Sequence, residues 1–164
     1  MTLDNSKTII SLRIKLFIAT VLFLAFIILT YVAKKINYPL LGMSDTIWTV
    51  ILASCYLILV FLPMYLNYQY VYFSDDGENI VFRYFNAGIT GGKKNSVEIN
   101  KKTFSGYKVE KKHFGLSQSI ILYTQIRQGI AKYPPIHISA LTKAEKNKII
   151  SLLNTYAPRI KNES

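Results

Sequence analysis

Two long uncharged runs dominate the first 66 residues of the chain. Residues 16–33 (LFIATVLFLAFIILTYVA) hold no charge over eighteen positions, and residues 46–66 (TIWTVILASCYLILVFLPMYL) hold none over twenty-one. As helices rising about 1.5 Å per residue they would reach roughly 27 and 31 Å, which matches a hydrocarbon core of about 30 Å. Neither run carries the polar stripe of a helix on a soluble domain. The pattern therefore predicts two membrane spans.

The first run has one alternative interpretation, a cleaved signal peptide. The apolar region of a signal peptide usually has about 7–15 residues and ends at a small-x-small site. This run is longer, and Tyr31 stands where a small residue is needed. We therefore predict an uncleaved anchor. The short connection, residues 34–45, makes the two spans antiparallel neighbours, so residues 16–66 form a transmembrane hairpin.

Basic residues near the ends of the spans indicate the orientation of this hairpin. Lys7, Arg13 and Lys15 precede the first span, whereas the connection contains Lys34 and Lys35. The side richer in Lys and Arg is usually the cytoplasmic one. We predict that residues 1–15 are a cytoplasmic flank, that both termini are cytoplasmic, and that the chain is a multi-pass protein of the cell inner membrane.

After residue 67 the apolar residues recur with a period of two. The segments QYVYF and IVFRYF are separated by the turn-rich SDDGEN and predict a β-hairpin. Short alternating segments continue to residue 140, separated by turns rich in Gly, Asn, Pro or Lys. They predict six or seven strands of an antiparallel sandwich or barrel.

The last predicted element is a helix over residues 142–157. Thr142 and Glu145 have the spacing of a capping box, and Pro158 ends the helix. Ile149, Leu153 and Tyr156 fall on one face. Because a single amphipathic helix must bury that face, we expect it to lie on the strands.

Two spans, a run of strands from Tyr70 to Ala140 and the helix TKAEKNKIISLLNTY together resemble the membrane-anchored bacterial proteins with a pleckstrin-homology-like domain. The resemblance covers the whole chain in organisation. It implies an all-β, partly open barrel of about seven strands over residues 69–158, capped by the C-terminal helix. It also implies a binding module and not a catalyst. The first turn, Asp75–Glu78, is acidic where phosphoinositide-binding relatives are basic, so no inositol-phosphate pocket is expected.

The chain is basic, with twenty Lys and Arg against nine Asp and Glu. Fifteen of the basic residues and seven of the acidic ones follow residue 66. Anionic lipid headgroups attract such a domain. The residues predicted to contact anionic lipid or a partner are Lys93, Lys94, Lys101, Lys102, Lys108, Lys111 and Lys112. The alternative is an ordinary basic surface without a patch. Nucleic acid is not expected, because no nucleic-acid motif accompanies the charge.

The segment GITGGKKN, residues 88–95, looks like a phosphate-binding loop but lacks its spacing. A P-loop has four residues between its glycines and a Ser or Thr after the Lys. Here three residues separate Gly88 from Gly92, and Lys94 follows Lys93. The next residues predict a strand and not a helix. We interpret the segment as a strand connection whose glycines allow positive φ, or as a loop whose lysines touch headgroups or an acidic partner.

No pattern in the chain predicts catalysis. His113 and His137 are isolated, Cys55 is the single cysteine, and no cofactor or metal site is expected. The sequence predicts a membrane-anchored, non-enzymatic module that docks a protein partner or anionic lipid headgroups at the inner membrane surface. The alternative is a small accessory subunit of a membrane transport or enzyme complex. A functional span would normally hold an ionisable residue, and neither run has one.

Overall fold

A computed structural model describes residues 1–87, 92–157 and 160, with the backbone alone at His113. The chain divides into two compact units. We call Met1–Ile9 together with Leu66–Ser164 the β unit, and Ile10–Tyr65 the apolar unit.

The apolar unit consists of two long helices, as predicted. Helix α1 (Ser6–Ile27) continues through a π-helical turn (Ile28–Val32), and α2 covers Asp45–Tyr65. Helix α1 begins ten residues before the predicted span, and at its start the Asp4 carboxylate accepts a hydrogen bond from the Ser6 backbone N–H at 2.9 Å.

The two helices contact each other but bury almost nothing. Tyr56 stacks on Phe23 with ring centroids 4.9 Å apart, and its hydroxyl lies 3.1 Å from the Thr20 hydroxyl. No residue in the most apolar eighteen-residue window of either helix is buried, and both helices are long and apolar enough to cross a membrane. Their outer faces therefore need an apolar environment.

The β unit contains two four-stranded antiparallel sheets. The first has the order β1 (Thr2–Asp4), β2 (Gln69–Ser74), β3 (Asn79–Asn86) and β4 (Asn95–Asn100). In the second, β6 (Ser117–Ile126) pairs with β5 (Phe104–Lys112), β7 (Gly129–Lys132) and the short β8 (Ile136–His137). A 3₁₀ turn (His113–Gly115) joins β5 to β6. The two sheets share no strand pairing in the described part of the chain, so they do not form a closed barrel.

One core joins the two sheets and the C-terminal helix α3 (Lys143–Tyr156). Alternate residues of β2, β3 and β4 point into it, among them Phe73 and Phe82, whose rings lie 4.9 Å apart. Ile149 and Leu153 of α3 are fully buried there. The Thr142 hydroxyl accepts a hydrogen bond from the Glu145 backbone N–H, and the Glu145 carboxylate accepts one from the Thr142 backbone N–H. These two bonds confirm the predicted capping box.

The N-terminal residues differ most from the sequence prediction. Residues 1–15 were expected to be a flank, but Thr2–Asp4 pair with Tyr72–Ser74 as an edge strand, and Leu3 packs against the core. Three residues are too few to show the alternation of apolar and polar residues that predicts a strand. The strand forms because β2 offers an open edge with unpaired backbone groups.

Candidate functional site

The chain enters and leaves the apolar helices at one end of the first sheet. Just before α1, the side chain of Asn5 donates to the Gln69 carbonyl at 2.9 Å and accepts from the Val71 N–H at 2.8 Å. Ile9 is buried with Ala87 and Ala140. These contacts bring Asn5–Ile9 against the start of β2, and we call this end of the β unit the attachment end.

The register brings the start of β4 to the attachment end. Gln69 pairs with Asn86 at the end of β3, and Tyr84 pairs with Asn95 at the start of β4. Lys93 and Lys94 directly precede Asn95, and both are exposed.

A chain of contacts brings the end of β5 there as well. The Gln69 side-chain oxygen accepts a hydrogen bond from the His137 backbone N–H at 2.9 Å. Burial and the nearby charge of Lys112 hold the pKa of His137 below its ordinary value. Lys112 pairs with Ser117 on β6, and His137 pairs with Ser119 two residues further on, so Lys112 and its exposed neighbour Lys111 belong to the attachment end. His137 is half-buried, and its Nδ1 has no partner among the described residues.

Lys101 and Lys102 lie at the opposite end of the β unit, in the turn between β4 and β5. The Lys101 ammonium donates to the carbonyls of Asp75 and Gly77 at 2.6 and 2.8 Å, and it lies 4.9 Å from the ring centroid of Tyr156. Lys101 therefore holds the β2–β3 turn to α3. Lys102 is exposed.

The seven predicted lysines consequently do not meet in one place. At about 3.3 Å per residue, the length of β5 separates Lys102 from Lys111 by roughly 25–30 Å. Lys108 lies between them and pairs with Glu110 at 3.6 Å. The attachment end collects Lys93, Lys94, Lys111 and Lys112.

The β5–β6 turn presents two apolar side chains that the sequence reading overlooked. Phe114 adopts φ 56° and ψ 28°, and its side chain is 109% exposed relative to a reference residue. Leu116 is 64% exposed. The signal was present in the segment KKHFGL, because turns are normally polar and large apolar residues are rare in them.

A half-open pocket of about 350 Å³ lies on the first sheet next to Lys94. Arg83 and Lys94 supply its positive charge, and Tyr70 stacks on Phe85 beside them with ring centroids 4.8 Å apart. Arg83 also lies 5.9 Å from the ring centroid of Tyr72. Two cations beside aromatic rings suit an anionic group with an apolar neighbour.

Within residues 1–87, 92–157 and 160, no group of three or more His, Cys, Asp and Glu side chains is placed to hold a metal ion. Residues 88–91 of GITGGKKN and the side chain of His113 lie outside the described part. The segment leads into β4, as predicted, and not into a helix.

Comparison with known proteins yields no relative: no family model, no curated protein and no solved structure matches the chain.

Proposed function

We propose that the chain is a membrane-anchored, non-enzymatic binding module of the inner membrane, whose β unit rests on anionic lipid headgroups through its attachment end. One observation carries the proposal. In the order of the chain, two apolar helices that are not buried separate two strands, β1 and β2, and these strands pair with each other. The β unit itself is proposed to be a variant of the pleckstrin-homology-like fold.

The strand pairing supports a hairpin topology. Strand β1 precedes α1 and β2 follows α2, so their pairing requires both ends of the helical segment to lie on the same side of a membrane. The three basic residues before the first span, against two in the connection between the spans, favour the cytoplasmic side for the β unit. In this arrangement the attachment end is the part of the β unit that the chain holds next to the bilayer.

The charge of the attachment end suits an anionic surface. Lys93, Lys94, Lys111 and Lys112 are exposed, and none of them has a carboxylate within 4 Å among the described residues. Each lysine near an anionic leaflet contributes about 1 kcal/mol of attraction. Because the spans already hold the β unit at the membrane, even this modest attraction is enough for a lasting contact.

The proposal is tested by hydrogen exchange of the full-length protein in nanodiscs of neutral lipid or of neutral and anionic lipid. We expect the segments around Lys93–Asn95 and Lys111–Ser117 to exchange more slowly with anionic lipid, and salt to remove the difference. Replacing Lys93, Lys94, Lys111 and Lys112 by Glu should also abolish the difference in exchange between the two lipid compositions.

A matched control reverses four exposed basic residues elsewhere on the β unit: Lys102, Arg127, Lys132 and Lys148. This control changes the net charge equally and should keep most of the protection. If exchange at low salt does not depend on the lipid, the headgroup contact is absent, and a protein partner becomes the expected ligand.

A further inference from the structure

The β5–β6 turn differs from the other exposed parts of the attachment end because its tip is apolar. Phe114 is completely exposed and Leu116 is nearly two-thirds exposed, within six residues that begin with Lys111 and Lys112. On the strands that flank the turn, Val109 of β5 and Ile120 of β6 are buried in the core, whereas Phe114 contributes nothing to the core. Packing of the β unit therefore does not explain the phenylalanine.

The backbone of Phe114 adds to this contrast. Its φ of 56° lies in the left-handed region, which is costly for a bulky residue. Gly115, with φ 89°, follows it. An Asn or Gly at position 114 would suit the turn better and would not expose a ring to water. Local folding and solubility both disfavour Phe here, which points to an apolar environment outside the unit.

The surroundings of the tip identify that environment as a lipid surface. The turn carries an exposed aromatic and an exposed aliphatic side chain, and two lysines directly precede them in the chain. This arrangement suits a bilayer interface. The ring would enter the boundary between headgroups and acyl chains, and the ammonium groups would meet phosphates. The lysines behind the tip have the sign that an anionic leaflet requires.

We propose that Phe114 and Leu116 insert into the interfacial layer of the bilayer that the two helices span, while Lys111 and Lys112 bind lipid phosphates. This inference rests on the proposed function and makes it more specific, since it assigns one hairpin as the inserting element. The tip then fixes how the β unit lies on the membrane.

The single tryptophan of the chain makes the test direct. In a Trp48→Phe background, Phe114→Trp places one indole at the tip and replaces one aromatic residue by another. The matched control is Ile130→Trp in the same background. Ile130 is 66% exposed and lies in the β6–β7 hairpin, at the other end of β6. Both full-length proteins are reconstituted in nanodiscs with and without brominated acyl chains.

We expect the tryptophan at position 114 to emit at shorter wavelength than the one at position 130, and to lose most of its emission to brominated lipid. The control should emit as in water and stay unquenched. Adding Lys111→Glu and Lys112→Glu should reduce the quenching at position 114 in anionic nanodiscs.

Water-like, unquenched emission at position 114 would overturn the inference and would leave the tip free for a protein partner. Hydrogen exchange around Lys93–Asn95 separates this failure from failure of the proposed function. Protection of that segment by anionic lipid requires the headgroup contact but not insertion of the tip.

Discussion

At the residue scale, Gly92 shows why the connection from β3 to β4 needs a glycine. The sequence suggested that glycines in this connection serve positive φ. The surroundings of Gly92 supply a separate reason: a Cβ at this position would lie 2.8 Å from the Cβ and 2.9 Å from the backbone nitrogen of Asn86. The close approach of the two backbones leaves no room for a side chain.

Gly92→Ala should therefore destabilise the β unit, by about 1–3 kcal/mol, because the extra methyl group must push the backbone of β3 or β4 aside. Denaturant unfolding of the full-length protein in detergent measures this loss. Ser96→Ala, on the exposed side of β4, should change the unfolding free energy by less than about 0.5 kcal/mol. Equal stability of both variants would contradict the close approach.

A second residue-scale feature is the pair of carboxylates that holds the ammonium of Met1. Asp75 and Asp76 each lie 2.5 Å from that nitrogen, and the Tyr156 hydroxyl donates to Asp75 at 3.2 Å. Burial raises the pKa of Asp75, but the hydrogen bonds from Met1 and Tyr156 and the charges of Met1 and Lys101 together outweigh it and lower the pKa.

Because the pKa of Asp75 is lower in the folded state, its contribution to stability is present at neutral pH and is lost as the pH falls. The unfolding temperature should drop on acidification below about pH 5. Asp75→Asn should lower stability at neutral pH and weaken this pH dependence. Glu98→Gln, at an exposed carboxylate of β4, should leave it unchanged. Parallel pH curves for Asp75→Asn and the wild type would refute the assignment.

At the element scale, the Asn5 side chain adds to the backbone pairing between β1 and β2. This side chain is 1% exposed and satisfies two backbone groups of β2. Asn5→Ala leaves the Gln69 carbonyl and the Val71 N–H without those partners, which should cost about 1–3 kcal/mol. Amide exchange of Val71 should accelerate, whereas exchange of Ile120 in the second sheet should change less. Unchanged exchange at Val71 would show that β1 does not depend on Asn5.

Helix α3 depends on its N-terminal cap in a comparable way. Thr142→Ala removes the hydroxyl that accepts the Glu145 N–H, and it should cost about 1 kcal/mol. Thr142→Ser keeps the oxygen and should remain close to the wild type. Thermal unfolding of the two variants distinguishes them, and equal losses would mean that the cap contributes little.

The elements that the sequence predicted correctly are those with local signals. The two apolar helices, the β2–β3 hairpin and α3 each follow from a period, a turn or a cap within about twenty residues. Strand β1 was missed because its partner lies seventy residues away. Whether the lysines meet was also out of reach, since it depends on strand register and on the Gln69–His137 contact. Phe114 could have been noticed, because its position in a turn is visible in the sequence.

At the scale of the whole molecule, charge and apolar surface are arranged around the attachment end. The chain reaches its apolar helices there, four lysines lie there, and the hairpin with Phe114 extends from there. The opposite end is tied internally, through Met1, Asp75 and Lys101. The proposed anchor and the proposed headgroup contact thus lie at the same end of the β unit.

The topology of the full-length protein in sealed vesicles tests the two-span anchor most directly. Single cysteines at exposed positions Thr2, Ser44 and Ser151, in a Cys55→Ala background, are probed with a membrane-impermeant maleimide. We expect positions 2 and 151 to react from the cytoplasmic side alone, and position 44 to react from the opposite side alone. Labelling of position 44 from the same side as position 151 would contradict the two-span anchor.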